Sequence, residues 1–414
     1  MRVLVFSQYF WPESFRINDV VSSLRKEGCE VVVLTGKPNY PDGRIFDGFK
    51  VWGTQVQTHP EGYKIFRTPL LPRGRGGALR MVANYLSFVA SAAWFGRGLL
   101  RGQNFDVILV YAPSPILQAI PAIALARSKR ASLVTWVQDL WPESLLATGF
   151  VRNRIALKAI EHVVRWIYRR NDLLLVQAKA FLPPVRELAG STPVVFHPNP
   201  GEVPSEAGLQ GAPATLELDP GFNVVFAGNL GSVQALDSIL DAASLLAVHT
   251  DIRIVLIGSG SRAEWLTQQV AERGLSNVRL PGRYPAAQMP AILAQASAML
   301  VTLIDHPIFS MTVPSKVQTY LAAGRPVIAA LRGEGAQVLE EAGAGIVCEP
   351  ENPAELANAI LTIRGMPKET LNALGAAGKR YFTENYSPEQ LAKKLITLLH
   401  TARKSVKPYI PDDD

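Results

Sequence analysis

Short apolar runs alternate with helix-length segments along this chain, and the whole alternation occurs twice. In the first 200 residues the runs fall at 2–6, 31–35, 63–67, 106–111, 132–137, 173–177 and 194–196. Runs this short, rich in Val, Ile and Leu and bounded by Gly and Pro, are strands buried on both faces. The intervening segments near 17–28, 81–96, 115–126 and 180–188, with one long segment between 137 and 173, have helix length. Repetition of strand, helix and parallel strand builds a doubly wound α/β sheet. His197-Pro198-Asn199-Pro200-Gly201 interrupts it, and 201–221 is Gly- and Pro-rich without periodicity. Strands then resume at 223–227, 252–257, 278–280, 298–303, 327–330 and 346–348. The predicted organisation is a domain at 1–200, a linker at 201–221, a second domain at 222–382, a helix at 383–400 crossing back to the first, and a tail at 401–414. Two such sheets are expected to face each other across a cleft lined by their C-terminal strand ends, where ligands sit.

The second domain holds the stretch that most suggests a ligand. Pro314 and Ser315 open a short helix, Gly324 and Pro326 close it, and a buried strand follows at 327–330. Unpaired N–H groups at such a start suit phosphate oxygens. Lys316 lies in the first turn, where the helix dipole disfavours a cation, so either a bound anion or plain solvation accounts for it. Gly228-Asn229-Leu230-Gly231 and Gly258-Ser259-Gly260 each follow a strand, where glycines let backbone approach a ligand. Neither is a dinucleotide fingerprint, and no P-loop or Gly-x-Ser-x-Gly elbow occurs. Three strand-end elements together favour a diphosphate-containing ligand.

In the first domain Trp11-Pro12-Glu13-Ser14 echoes Trp141-Pro142-Glu143-Ser144, each just beyond a strand. Glu13, Glu143 and Asp139 are therefore the carboxylates that topology brings toward an acceptor hydroxyl, with Asp139 the best placed general base. Either glutamate would equally serve a helix start. Arg16 is placed to reach a phosphate. The six histidines have no metal-ligand spacing, so electrostatic stabilisation and positioning are expected, with no required metal. His306 precedes the Lys316 helix as a loop residue.

Charge is unevenly divided: residues 1–200 carry 25 Lys or Arg against 13 Asp or Glu, and residues 201–414 carry 17 against 22. No acid occurs between Glu61 and Asp106, yet Lys64, Arg67, Arg73, Arg75, Arg80, Arg97 and Arg101 do. This band, centred on 70–101, encloses sixteen uncharged residues, 81–96, including Tyr85, Phe88, Trp94 and Phe95. As a helix they rise about 24 Å, short of the roughly 30 Å of bilayer hydrocarbon. An interfacial helix whose arginines meet an anionic membrane surface fits this pattern; an ordinary crossover helix is the alternative. A second basic segment, 152–170, starts at Arg152. Nucleic acid is not an expected partner, since the arginines are not interleaved at surface spacing and no reading motif occurs. Cys29 and Cys348 sit apart in apolar runs, as reduced buried thiols do, and the first ten residues read as a strand, not a signal peptide.

The stretches Ser7-Gln8-Tyr9-Phe10-Trp11-Pro12-Glu13, Thr35-Gly36-Lys37-Pro38-Asn39-Tyr40-Pro41, Asp139-Leu140-Trp141-Pro142-Glu143, Ala227-Gly228-Asn229-Leu230-Gly231 and Pro314-Ser315-Lys316 give the chain a further meaning. Over nearly its whole length it resembles the retaining family 4 glycosyltransferases of GT-B architecture. The nearest kinds are bacterial enzymes of exopolysaccharide, colanic acid and O-antigen (lipopolysaccharide) assembly, including N-acetyl-L-fucosamine transferases. The resemblance implies a UDP-sugar donor held by the second domain, near Ser315, Lys316 and Thr319. It implies an acceptor held by the first, commonly a polyprenyl-diphosphate-linked saccharide, at the cytoplasmic face of the inner membrane.

Departures accompany it. The family's two glutamates fall on Met311 and Thr319, its Arg and Lys after the first donor-domain strand fall on Asn229 and Gln234, and its His before the aspartate falls on Gln138. These leave Lys316 with more of the phosphate charge to meet. They also keep open a non-hydrolysing UDP-sugar 2-epimerase and a non-catalytic GT-B partner protein.

Overall fold

The computed structural model describes residues 1–74, 77–147, 151, 153–201 and 216–404. It separates into two compact units, Met1–Pro200 with the chain from Pro388 onward, and Gly201–Ser387. Of the expectations above, Arg75, Arg152, linker residues 202–215 and tail residues 405–414 lie outside the described residues.

The first unit is built on an eight-stranded sheet. Its strands are β1 (Arg2–Phe6), β2 (Glu30–Gly36), β3 (Gln55–Thr58), β4 (Lys64–Thr68), β5 (Val107–Ala112), β6 (Ser132–Val137), β7 (Leu173–Val176) and β8 (Val194–Phe196). They lie in the order β3-β4-β2-β1-β5-β6-β7-β8, parallel except for β3. Val, Ile and Leu bury both faces of β1, β2, β5 and β7, as helices on both sides of a parallel sheet require. The final helix, Pro388–Lys404, returns to this unit. Its Leu395, Leu399 and Ala402 join Ile17, Val20 and Leu24 of the Arg16–Lys26 helix in one core.

The second unit has strands β9 (Phe222–Asn229), β10 (Ile252–Ser259), β11 (Val278–Gly282), β12 (Ala298–Thr302), β13 (Val327–Ala330) and β14 (Gly345–Cys348). Their order is β11-β10-β9-β12-β13-β14, all parallel, so the winding reverses between β9 and β12. Both units are Rossmann-like.

Four local expectations are corrected. β3 escaped notice because Gln55-Val56-Gln57-Thr58 has one apolar residue; it is a half-exposed edge strand hydrogen-bonded to β4. The uncharged 81–96 stretch belongs to a helix of 22 residues, Ala78–Leu99, about 33 Å long, which includes Arg80 and Arg97 because long cationic side chains reach water from a helix surface. Two helices, Glu143–Ala147 and Arg154–Tyr168, replace the single long one. Asn153 starts the second by accepting from the N–H groups of Ile155 and Ala156 at 2.8 and 3.2 Å. The helix from Lys368 runs to Asn385, so the returning helix begins at Pro388 and not at 383.

The Ser315–Ala323 helix packs Val317 and Leu321 into the core over the sheet, and Tyr320 adds hydrogen bonds to one strand. Pairing between β9 and β12 stops at Val225 and Met299, which leaves Ala227 without a strand partner there. The buried hydroxyl of Tyr320 takes that place, accepting the Ala227 N–H at 2.8 Å and donating to its carbonyl at 3.2 Å. Tyr320→Phe strands both backbone groups, and a loss of about 1–3 kcal/mol in the urea unfolding of this unit is expected; an unchanged midpoint would show the hydroxyl to be idle.

Candidate functional site

At the C-terminal ends of β9, β10 and β12 the second unit encloses a cavity of about 720 Å³. The reversal of strand order makes this opening, because the crossovers from β9 and β12 leave in opposite directions. Of the residues expected to bind a ligand, Gly228, Asn229, Gly258, Ser315, Lys316 and Thr319 line it. Gly231 and Gly260 do not. They pack behind it: a Cβ on Gly260 would stand 2.4 Å from the Leu230 carbonyl oxygen, so these glycines serve close backbone packing.

Lys316 is half-buried in the first turn of its helix, with Nζ 3.8 Å from the centroid of the Phe226 ring. Nζ also donates to Oε1 of Gln234. Gln234 is held in turn by Thr302, whose hydroxyl donates to its carbonyl at 2.5 Å. Gly228 is what admits the lysine. At φ 139° it has a conformation L side chains rarely adopt, and a Cβ there would lie 2.7 Å from Cε of Lys316. Burial without a compensating carboxylate lowers the Lys316 pKa to about 7. The ammonium is a cation held by an aromatic face and a neutral amide, short of its full complement of negative partners.

The rest of the lining continues this bias. Arg283 joins Lys316, and no Asp, Glu or His is present. Thr319 donates its hydroxyl to the Ser315 carbonyl at 3.1 Å, within its own helix. Arg283, Tyr284 and Met289 were missed in the sequence; their signal was position, since Arg283 directly follows β11 as Asn229 and Ser259 end β9 and β10. His306 caps the short Pro307–Ser310 helix, its Nδ1 accepting the Ile308 N–H at 3.3 Å. Gln138, in place of the expected histidine, accepts from Asn199 Nδ2 at 2.6 Å, tying β6 to the 197–200 turn.

The first unit gathers its candidates at the C-terminal edge of its own sheet. The two echoing tetrapeptides both lie there, and each has a cis peptide before its proline. Their glutamates differ. Glu13 is buried, and its oxygens accept from the N–H groups of Asn39 and Tyr40, both at 2.8 Å, and of Phe10 at 3.3 Å. Burial raises its pKa to about 6 against the pull of those donors. Glu143 is exposed in the first turn of its helix. Asp139 is half-buried just beyond β6; burial raises its pKa, opposed by hydrogen bonds that include the Ser144 and Ser114 hydroxyls. Tyr85 hydrogen-bonds to Ser114 and to Tyr9, giving a line of hydroxyls toward Asp139. Arg16, first residue of its helix, acts electrostatically on Tyr111. Among the described residues no three His, Cys, Asp or Glu side chains are grouped to hold a metal ion.

An anion in the second-unit cavity would restore the proton of Lys316, so binding takes up a proton wherever the free lysine is neutral. Sulfate, whose own charge is constant here, should bind about tenfold more weakly per pH unit above roughly pH 7.5 and without pH dependence below about 6. Calorimetry in two buffers of different ionisation heat measures both; a flat profile would separate Lys316 from the anion.

Residues 14–200 match the family described as glycosyl transferase 4-like domain, and residues 221–365 match glycosyl transferases group 1. The probable glycosyltransferase WbjE of Pseudomonas aeruginosa is 26% identical over 327 residues, covering 76% of this chain and 79% of that protein. The putative colanic acid biosynthesis glycosyl transferase WcaI of Escherichia coli K12 is 22% identical over 403 residues, covering 93% and 97%. The fold is similar to that of Anabaena HepE in complex with UDP, with a TM-score of 0.67 at 15% identity over 97% of this chain and all of that one. The chain is a GT-B-fold glycosyltransferase related to the colanic acid and O-antigen family transferases.

Proposed function

We propose that the protein moves a sugar from a UDP-sugar, with retained anomeric configuration, to a saccharide carried on a polyprenyl diphosphate during surface polysaccharide assembly. The observation that carries this reading is the carboxylate-free cavity with Lys316 at its helix start and Arg283 in its wall. A diphosphate is an anion suited to such a lining. The UDP complex of HepE and the colanic acid role in the name of WcaI support the same nucleotide and pathway class. The resemblance to N-acetyl-L-fucosamine transferases points to an N-acetylated 6-deoxyhexose as the donor sugar. A UDP-sugar 2-epimerase would need groups to remove and return a proton at C2, and the cavity lining contains no carboxylate or imidazole for it.

In the proposed reaction the bond between C1 and the diphosphate oxygen breaks, the acceptor oxygen bonds to C1 from the same face, and the hydroxyl proton departs. Protonated Lys316, Ser315 and Lys316 N–H groups and the backbone at Gly228 and Gly258 hold the leaving diphosphate, with Asn229 and Thr319 beside them. Charge grows there as the bond breaks, so these donors act most strongly in the transition state. In the first unit Asp139, kept above the usual carboxylate range, takes the proton. Glu143 contacts the acceptor side, Arg16 meets a phosphate of the leaving diphosphate, and Glu13 holds the loop beside them. No resident metal or organic cofactor is assigned a role.

The first unit also bears the proposed contact with the cytoplasmic face of the inner membrane. Leu79, Leu86 and Trp94 of the Ala78–Leu99 helix are 86%, 50% and 82% exposed, beside Arg97 and Arg101. Ile155 and Trp166 of the basic Arg154–Tyr168 helix are exposed as well. No helix among the described residues is long and apolar enough to cross a membrane.

Two measurements test the reading. Lys316→Ala should weaken UDP binding at pH 7 at least tenfold, remove the pH dependence of sulfate binding and lower turnover more than tenfold; wild-type affinity and rate would remove the lysine from the site. Trp94→Ser with Arg97→Gln should shift the protein from vesicles rich in anionic lipid to the supernatant, about tenfold in partition coefficient. Equal partitioning would leave that helix face a solvated one.

A further inference from the structure

The first unit contains a second opening, a groove of about 920 Å³ between the 43–51 loop, the 71–74 turn and the start of the Ala78–Leu99 helix. Its wall is made of Ile45, Phe46, Phe49, Val51, Leu71 and Pro72. Arg44 and Arg80 also line it, against a single carboxylate, Asp47. An apolar wall bordered by excess cationic charge suits an amphiphile with an anionic head. Being concave and made of loops, it suits one chain and not a bilayer surface.

The groove is braced. Gly43 donates its N–H to the Asn39 carbonyl at 2.8 Å, and Gly74 donates to the Gly43 carbonyl at 2.9 Å. Both glycines have positive φ, 70° and 68°, and a Cβ on Gly43 would stand 1.8 Å from the Gly74 oxygen, so the two walls interlock through bare backbone. Asn39 is gripped by Glu13 through its N–H and by Arg73 through its side-chain oxygen, which accepts the Arg73 N–H at 3.1 Å. Phe49 lies under the guanidinium of buried Arg67, 5.0 Å from ring centroid to Cζ. A groove set by such contacts costs little further ordering when a chain enters.

Its cationic side leads toward the hydroxyl line. Arg80 lies over Gly74, where a Cβ would be 2.5 Å from its guanidinium. Arg73, one residue earlier, sits 5.4 Å over the Tyr40 ring, and its charge acts on Tyr9 and Tyr85. Tyr85 continues through Ser114 to Asp139. The sequence of chemistry is thus apolar wall, arginines, tyrosine hydroxyls, carboxylate. A lipid-linked sugar has the same sequence: chain, diphosphate, sugar hydroxyl.

We infer that this groove binds the head-proximal hydrocarbon of a lipid diphosphate, with Arg44 and Arg80 on its phosphates. The inference rests on the lipid-linked acceptor proposed above and names where that lipid is held. Calorimetry on the full chain, with UDP saturating the donor cavity and no detergent, compares farnesyl diphosphate, farnesol and inorganic pyrophosphate. Farnesyl diphosphate should bind at least thirtyfold more tightly than pyrophosphate, and Ile45→Ser or Phe46→Ser should each reduce that affinity about tenfold without altering pyrophosphate binding. Arg80→Gln should weaken both phosphorylated ligands and leave farnesol unchanged.

Equal affinity for farnesyl diphosphate and pyrophosphate in the wild type overturns the inference, and this comparison needs no variant. So does farnesyl diphosphate binding that all three folded variants retain. Loss of anionic-vesicle partitioning in Ile45→Ser with farnesyl diphosphate binding intact would assign the groove to the membrane surface instead. Sugar transfer measured on lipid-free and lipid-linked saccharides judges the functional reading separately: transfer to the lipid-free form alone ends that reading, whatever the binding data decide about the groove.

Discussion

The cavity of the second unit depends on how one helix is joined to one strand end. Tyr320 completes the hydrogen bonding of Ala227 where strand pairing has lapsed, and the next residue, Gly228, has no side chain to obstruct Lys316. Those two facts fix the height and the direction of the ammonium together. A helix start alone would offer N–H groups, but its place over the sheet would be undetermined. With the tyrosine in the sheet edge, the lysine lies over Phe226 at a position set by packing.

That placement stores an electrostatic imbalance. Desolvation draws the lysine toward neutrality, and neither the aromatic face nor the Gln234 amide replaces a full negative charge. An anion in the cavity would supply that charge, the part proposed for the diphosphate of the donor. The substitutions at Asn229 and Gln234 fit this arrangement. Gln234 supplies an acceptor that orients Nζ where a second cation would have repelled it. Arg283, reaching the cavity from beyond β11, restores positive charge from another strand end.

The first unit handles polarity in the opposite way, by enclosing it. Gln8 donates to Asn84, Asn84 to the Leu71 carbonyl, and Glu13 accepts from the loop at Asn39 and Tyr40; the Gln8, Asn84 and Glu13 side chains are buried. Buried polar groups joined in this way favour one arrangement, although Oε1 of Gln8 has no hydrogen-bond partner in it. It joins the ends of β1, β2 and β4 to the Ala78–Leu99 helix, so the loops at the C-terminal edge of this sheet are tied to that helix. Glu143 shows what the same tetrapeptide does without a loop to enclose it: the carboxylate stays in water.

The sequence by itself determined the two sheets, the break after Pro200, the helix opening at Ser315 and the glycines beside it. Those follow from local pattern: the spacing of apolar residues, and the backbone freedom of Gly and Pro. Lys316 was legible because a cation in a first helical turn contradicts a local rule. The edge strand β3 was not, since pairing with β4 and not hydrophobicity holds it. Only the tertiary structure separated Glu13 from Glu143, Gly228 and Gly258 from Gly231 and Gly260, and buried Phe88 from exposed Trp94. Residues of the same or similar kind parted company there because burial, solvation and contact are properties of what the rest of the chain brings near them.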